Sequence, residues 1–194
     1  MFHLSTKDKT IIAIAILVSC CIFFYMLGHV MGVSSEKQSA KNIQQETQAT
    51  PQDTRLGISA ALFIPNFNAF FPDKLRIVTF QSAQDDFIEF PNTTRSVIII
   101  GKGDPQNLDS VGAIFFKYDD QAYSDGIMSI AAIISAVSPS TTDAGRYYII
   151  DQLGLHDNIN EASGMKISDY NGKRYVVSYE GNKVMFSAMT IPPQ

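Results

Sequence analysis

The feature that most constrains this chain is an unbroken apolar segment at residues 11–33, which contains no Asp, Glu, Lys or Arg. At about 1.5 Å per helical residue, a segment of this length reaches roughly 34 Å, and a bilayer's hydrocarbon core is about 30 Å thick. A helix also closes its backbone hydrogen bonds locally, as lipid requires. The sequence therefore predicts one transmembrane helix close to the amino terminus.

Two other interpretations of this segment stay open. A cleaved secretory signal has an apolar stretch of about 7–15 residues, shorter than this one, although Val30-Met31-Gly32 offers a small-residue cleavage site. Leu17-Val18-Ser19-Cys20 resembles a lipobox with Cys20 as the lipidated residue, but the chain stays apolar through Leu27 instead of turning polar. We favour an uncleaved anchor over the secreted and lipid-anchored forms.

Positive charges near the two ends of the segment indicate its orientation. Lys7 and Lys9 lie close to one end, whereas Lys37 and Lys41 lie farther from the other. Since Lys and Arg are enriched on the cytoplasmic side, we expect the amino terminus inside and the carboxy-terminal domain in the periplasm or outside the cell.

A polar stretch follows the apolar segment, with Ile43 as its only sizeable apolar residue. Such a composition cannot bury a core, so the stretch is predicted to be a solvated linker; alternatively, the helix continues for a few turns and stops at Pro51. The predicted organisation is a tail at 1–10, a transmembrane anchor at 11–33, a polar linker at 34–55 and an extracytoplasmic domain at 56–194.

Charge and cysteine content exclude several functions for this domain. From residue 55 onward the chain carries eleven Lys and Arg against fifteen Asp and Glu, a net charge of −4. Nucleic-acid binding depends on neutralising phosphates, so we expect no nucleic-acid partner. The only cysteines are Cys20 and Cys21, inside the apolar segment, so the domain has no disulfide and no thiolate chemistry.

Hydrophobic patterns predict both helices and strands in the domain. Helices are expected at 56–71, interrupted at Pro65, at 122–137, and after a cap at Thr141 or Thr142 as far as Gly154. The third helix is expected to turn Tyr147, Ile150 and Leu153 inward. Strands are expected at 75–80, 87–90, 97–100, 112–118, 165–170, 173–179 and 184–191, with a loop at 101–109.

Asn171-Gly172 is the preferred sequence for a two-residue type I′ hairpin turn, so it joins two antiparallel strands. The element order is therefore a helix, three or four strands, two helices and three strands. It predicts an α+β domain in which a mainly antiparallel sheet packs against helices on one face.

Two short motifs carry a resemblance over roughly residues 62–191. Ser138-Pro139 ends one predicted helix and Leu153-Gly154-Leu155 ends the next. In this layout the chain resembles small exported, membrane-anchored bacterial domains of unknown function. The resemblance implies a bacterial, extracytoplasmic protein and no particular activity.

Candidate chemical motifs are weak. Residues 101–105 have neither the Gly-Lys-Ser/Thr sequence nor the following helix of a phosphate loop. Asp119, Asp120 and Asp125 do not have the spacing of a calcium loop. The three histidines are far apart in sequence, which argues against a shared metal site. A catalytic triad would need His156 with Ser163 or Ser168 and with Asp157 or Asp169. Neither serine lies in a nucleophile elbow. We expect no enzyme activity, no metal and no cofactor.

Tyrosines are the remaining candidates for function. Tyr147, Tyr148, Tyr175 and Tyr179 are possible partner contacts, because tyrosine joins a large apolar body to a polar tip; the alternative is that half of them pack the sheet against the helices. Asn92-Thr93-Thr94 is a glycosylation sequon.

The sequence thus favours a membrane-tethered, non-enzymatic binding or assembly module that contacts another cell-envelope protein through its sheet face or edge. The alternatives are a small-ligand or lipid-binding domain, with an apolar cavity between residues 127–137 and the sheet, and an enzyme with an unrecognised site.

Overall fold

A computed structural model describes residues 55–71, 75–94, 96–118, 120–155 and 163–191. The predicted tail, transmembrane anchor and nearly all of the linker lie outside these residues. In the described part of the chain, no helix is both long enough and apolar enough to cross a bilayer.

The described elements are three helices and seven strands. In chain order they are α1 (Ala60–Phe70), β1 (Gln81–Ser82), β2 (Phe87–Glu89), β3 (Val97–Asp104), β4 (Asn107–Phe116), α2 (Asp120–Val137), α3 (Asp143–Gln152), β5 (Gly164–Tyr170), β6 (Lys173–Glu180) and β7 (Lys183–Thr190). The strands form one sheet in the order β1-β2-β3-β4-β7-β6-β5, and every pair is antiparallel. The predicted α+β class and element order are confirmed.

All three helices pack on the same side of this sheet, which we call the helical face. Its side chains come from alternate positions of the strands, as the pleat requires. Its buried apolar residues include Val97, Ile99, Val111, Ala113, Phe115, Tyr175, Val177, Tyr179, Val184, Phe186 and Ala188, all in one cluster with the helices. This cluster is the core of the domain.

α1 is a single helix that tolerates an internal proline. Ser59 caps it, since its Oγ accepts a hydrogen bond from the backbone N–H of Leu62. Pro65 lies inside the helix without splitting it in two. Phe63 packs against Phe90 with ring centroids 4.9 Å apart, which joins α1 to the end of β2.

α2 approaches the sheet closely through a glycine. A Cβ on Gly126 would lie 2.2 Å from Cδ2 of Phe115, so only a residue without a side chain fits there. Ile130, Ile133 and Ile134 are fully buried farther along the helix, as its nearly all-round apolar pattern predicts.

Local signals predicted the next turns correctly. Thr142 caps α3, with its Oγ1 accepting a hydrogen bond from the N–H of Gly145, and Gly154 ends this region with a φ of 65°. Between β5 and β6, Asn171 and Gly172 have φ values of 48° and 73°. Positive φ at both positions is the signature of a type I′ turn.

One strand prediction and one loop prediction were wrong. Residues 75–80 form no strand; Ile77 makes one isolated bridge with Asn92, and Leu75 has a φ of 50° that breaks the extended conformation. Residues 101–109 are not a loop, because β3 continues to Asp104 and β4 begins at Asn107.

Glycine was misleading in that segment. Gly101 lies within β3 where a Cβ would be 3.0 Å from Cε2 of Phe90, and Gly103, with a φ of 103°, follows a register shift between β3 and β4. The glycines therefore accommodate a neighbouring ring and a bulge rather than a loop.

Candidate functional site

The sheet face opposite the helices, which we call the second face, carries two apolar rows that cross five strands. Strand register fixes both rows, because residues opposite one another in antiparallel strands point to the same side. Row one is Ile98, Ile114, Met185, Ser178 and Met165, and row two is Ile100, Gly112, Ser187, Val176 and Ile167. These two rows of the second face are therefore largely aliphatic.

The middle of these rows is buried, and the ends are exposed. Val176, Met185 and Ile114 are at most 3% exposed. Ile98 at the β3 end is 38% exposed, whereas Met165 and Ile167 at the β5 end are 49% and 47% exposed. Exposed aliphatic side chains that continue a buried row are a candidate interaction surface, and this sheet has one at each end.

A cleft of about 310 Å³ lies at the β3 end. It is lined by Glu89, Phe90, Pro91, Asn92, Thr94, Val97, Ile98 and Ile99, and we call it the β2–β3 cleft. Ile98 and the exposed Pro91 supply apolar surface, and Glu89 supplies a carboxylate whose Oε2 accepts a hydrogen bond from Gln81 Nε2 at 2.6 Å. This lining suits an apolar side chain next to a hydrogen-bond donor.

Hydrogen bonds hold the polar wall of the cleft in place. Asn92 donates through Nδ2 to the carbonyl of Val97 at 2.9 Å, and its Oδ1 accepts from the backbone N–H and the Oγ1 of Thr94. Ser96 Oγ donates to Asp125 Oδ2 on α2 at 2.8 Å. The amide nitrogen of the sequon is thus engaged in the fold, where it fixes the connection between β2 and β3.

The β5 end is an edge of the sheet. In the described part of the chain β5 pairs only with β6, and it is seven residues long. Asp169 on β5 forms two 2.8 Å contacts with Arg174 on β6. Hydrogen bonding from Arg174 holds the pKa of Asp169 below its ordinary value, so this pair stays ionised at neutral pH.

The four candidate tyrosines divide into two pairs. Tyr147 and Tyr148 on α3 are exposed, and the ring of Tyr148 lies 6.0 Å from that of Tyr170. Tyr175 and Tyr179 are buried, and their hydroxyls donate to Ser138 Oγ at 3.3 Å and to the carbonyl of Leu153 at 3.0 Å. Burial raises the pKa of Tyr175.

The expectation that Tyr147 turns inward was therefore wrong. Ile150 and Leu153 are buried as predicted, and Ile149 is buried with them. The partner-contact role of the tyrosines stays a prediction. Of the four candidates, only Tyr147 and Tyr148 are exposed enough to contact a partner.

Residues with possible chemical roles do not converge. Among the described residues no group of three or more His, Cys, Asp or Glu is arranged to hold a metal. Asp120 lies in the first turn of α2, and Asp125 accepts hydrogen bonds from Ser96 and Gln121. Ser168 is buried next to the paired Asp169, while His156, Asp157 and Asp119 lie outside the described residues.

The ligand-binding alternative requires a cavity between residues 127–137 and the sheet. Several α2 side chains in this range are fully buried in the core, and Gly126 just before it is in close contact with Phe115. No observation on the described residues favours this alternative, which stays a prediction.

Sequence reasoning missed Ile98, Met165 and Ile167. A signal was present, because the Asn171-Gly172 turn fixes the register of β5 against β6 and places Ile167 on the opposite side from Tyr175. No family model, no curated protein and no solved structure matches the chain.

Proposed function

We propose that this chain is a membrane-tethered, extracytoplasmic binding or assembly module without enzymatic activity, which contacts another cell-envelope protein at the β2–β3 cleft. The apolar segment at 11–33 supports the tether, and its flanking lysines support an orientation with the domain outside the cytoplasm. The observation that carries the binding role is the exposed Ile98 at the end of a buried aliphatic row, beside a cleft with a fixed polar wall.

The cleft's composition suggests the chemistry of the partner. Protein interfaces place an apolar anchor in a pocket and surround it with polar groups. Here Ile98, Pro91 and Phe90 line the apolar part, and the Glu89 carboxylate adds a negative charge to a domain that is already acidic. We expect the partner to insert an apolar side chain flanked by Lys or Arg.

Cysteine labelling in intact cells tests location and contact together. Cys20 and Cys21 are first replaced by serine in the full chain, and Ile98→Cys is compared with Met128→Cys on α2, which is similarly exposed at 43%. We expect a membrane-impermeant maleimide to label both variants. A cleavable cross-linker attached at position 98 is expected to yield a discrete protein adduct that position 128 does not.

The outcomes separate the two parts of the proposal. Absence of labelling at both positions contradicts the extracytoplasmic location. Labelling without an adduct at position 98, or with the same adduct at both positions, contradicts binding at the cleft. Glu89→Lys in the Ile98→Cys background is expected to reduce the specific adduct about tenfold, since one like-charge contact costs on the order of 1.4 kcal/mol.

A further inference from the structure

The β5 edge of the sheet carries two exposed aliphatic side chains on the second face. β5 (Gly164–Tyr170) is the last strand of the sheet order, and Met165 and Ile167 on its second-face side are about half exposed. Strand addition to a sheet edge uses backbone hydrogen bonds for affinity and side-chain pairing for register. The side chains of β5 therefore decide which strand fits best.

We propose that two copies of this chain associate through β5, in an antiparallel register with Ile167 of each copy on the two-fold axis. In this register Ile167 lies opposite Ile167 of the second copy, Lys166 opposite Ser168, and Met165 opposite Asp169. Two-fold symmetry makes each contact occur twice, as in an isologous interface. Row two then continues through Ile167 into row two of the second copy.

Neighbouring registers are less favourable. A two-fold axis perpendicular to the sheet keeps each face on its own side, so each register has one residue of β5 on the axis. An axis at Lys166 would oppose two lysines, and cross-strand like charges are destabilising. An axis at Ser168 would place Ile167 opposite Asp169, whose carboxylate is already paired with Arg174. That register has no directly opposed apolar pair on the second face. The axis at Ile167 also places Met165 opposite Asp169, but it keeps the isoleucine pair.

The cross-strand isoleucine pair stabilises the proposed register. Directly opposed aliphatic or aromatic pairs contribute favourably in antiparallel sheets. A seven-residue edge covers little surface compared with the roughly 800 Å² per partner of a stable interface. We therefore expect reversible association, which a covalent trap detects better than a size measurement. The pairing needs only β5 and does not rest on the proposed partner at the β2–β3 cleft.

Disulfide trapping tests the register with two adjacent second-face positions. In the full chain with Cys20 and Cys21 replaced by serine, Ile167→Cys is compared with Met165→Cys, a residue of nearly equal exposure on the same strand. Opposed residues have Cα atoms about 4.5–5.5 Å apart, within the range that a disulfide bridges. The two copies of residue 165 would be about 13 Å apart along the strands, which no disulfide spans.

We expect mild oxidation in membranes to give at least about ten times more disulfide dimer for Ile167→Cys than for Met165→Cys. Equal dimer from both variants, more from Met165→Cys, or none from either would overturn the inference. Each substitution replaces a half-exposed side chain, so circular dichroism of both variants is expected to match the parent chain. Loss of the cleft partner in the preceding labelling experiment would leave this result unchanged.

Discussion

The two faces of the sheet are both apolar but use different side chains. On the helical face, aromatic residues such as Phe115, Tyr175 and Phe186 pack against helices. On the second face, aliphatic Ile114, Met185 and Val176 alternate with glycine and serine, and the rows end in exposed isoleucine and methionine. An apolar residue in a strand therefore does not by itself show which face of the sheet packs against the helices. The two faces differ in side-chain size: the helical face carries aromatic rings, whereas the second face combines aliphatic residues with glycine and serine.

The largest expected difference between the faces comes from truncating one side chain on each. Phe115→Ala removes a fully buried ring that contacts Gly126, and we expect a loss of about 3–5 kcal/mol in the free energy of unfolding. Ile98→Ala is expected to cost about 1 kcal/mol or less, because 38% of that residue is exposed. Urea denaturation of the full chain in detergent measures both; equal losses would contradict the contrast between the faces.

Removing the hydroxyl group from one buried and one exposed tyrosine compares the core with the surface. Tyr179→Phe removes the hydrogen bond to the buried carbonyl of Leu153, so we expect a loss of about 1–3 kcal/mol in unfolding free energy. Tyr147→Phe changes an exposed residue and is the matched control, with an expected effect within about 0.5 kcal/mol. Thermal or urea unfolding distinguishes them, and an equally small effect for Tyr179→Phe would show that its hydroxyl contributes little.

The smallest expected effect is the pH dependence of the second-face ion pair. Because Arg174 lowers the pKa of Asp169 in the folded state, the pair stabilises the fold above the ordinary carboxyl pKa. That contribution is lost as the pH falls through the lowered folded-state pKa. Asp169 is 41% exposed in its side chain, so the pair contributes at most about 1 kcal/mol.

Asp169→Asn gives the corresponding measurement. Its unfolding free energy is expected to be lower than that of the parent chain at neutral pH. The two values are expected to converge as the pH falls below the lowered folded-state pKa of Asp169. If the difference in unfolding free energy between Asp169→Asn and the parent chain stays the same in acid, the effect of Asp169 does not come from its charge. The buried Tyr175, whose pKa is raised, is expected to contribute the opposite trend, losing stability as the pH rises above about 10.

Local sequence signals predicted those parts of the fold that depend on local conformational preferences. Asn171 and Gly172 adopt positive φ at two adjacent positions, and Thr142 accepts a hydrogen bond from the N–H of Gly145, three residues along the chain. Each of these features involves only a few neighbouring residues and can therefore be predicted from a short stretch of sequence. Gly101 could not be interpreted in this way, because its role depends on the ring of Phe90. Only the completed sheet shows that contact.

The candidate site was less predictable for the same reason. The local hairpin pairs Ile167 with Val176, but the rows are continuous across the sheet only because β4 pairs with β7. The nearest paired residues of β4 and β7 are separated by more than sixty positions in sequence. The tyrosine hypothesis relied on residue type alone and included Tyr175 and Tyr179, which the sheet turns into the core. Residue preference is a local property, whereas exposure depends on long-range pairing.

The unequal lengths of the outer strands limit how far a sheet of this kind can grow. β1 contains two residues and offers almost no backbone for another strand, whereas β5 contains seven. Joining two copies through β5 uses the long edge of each and leaves a short edge at both ends. Association of this kind stops at a dimer instead of continuing into a fibre. It therefore limits aggregation of a sheet that carries apolar side chains on both faces.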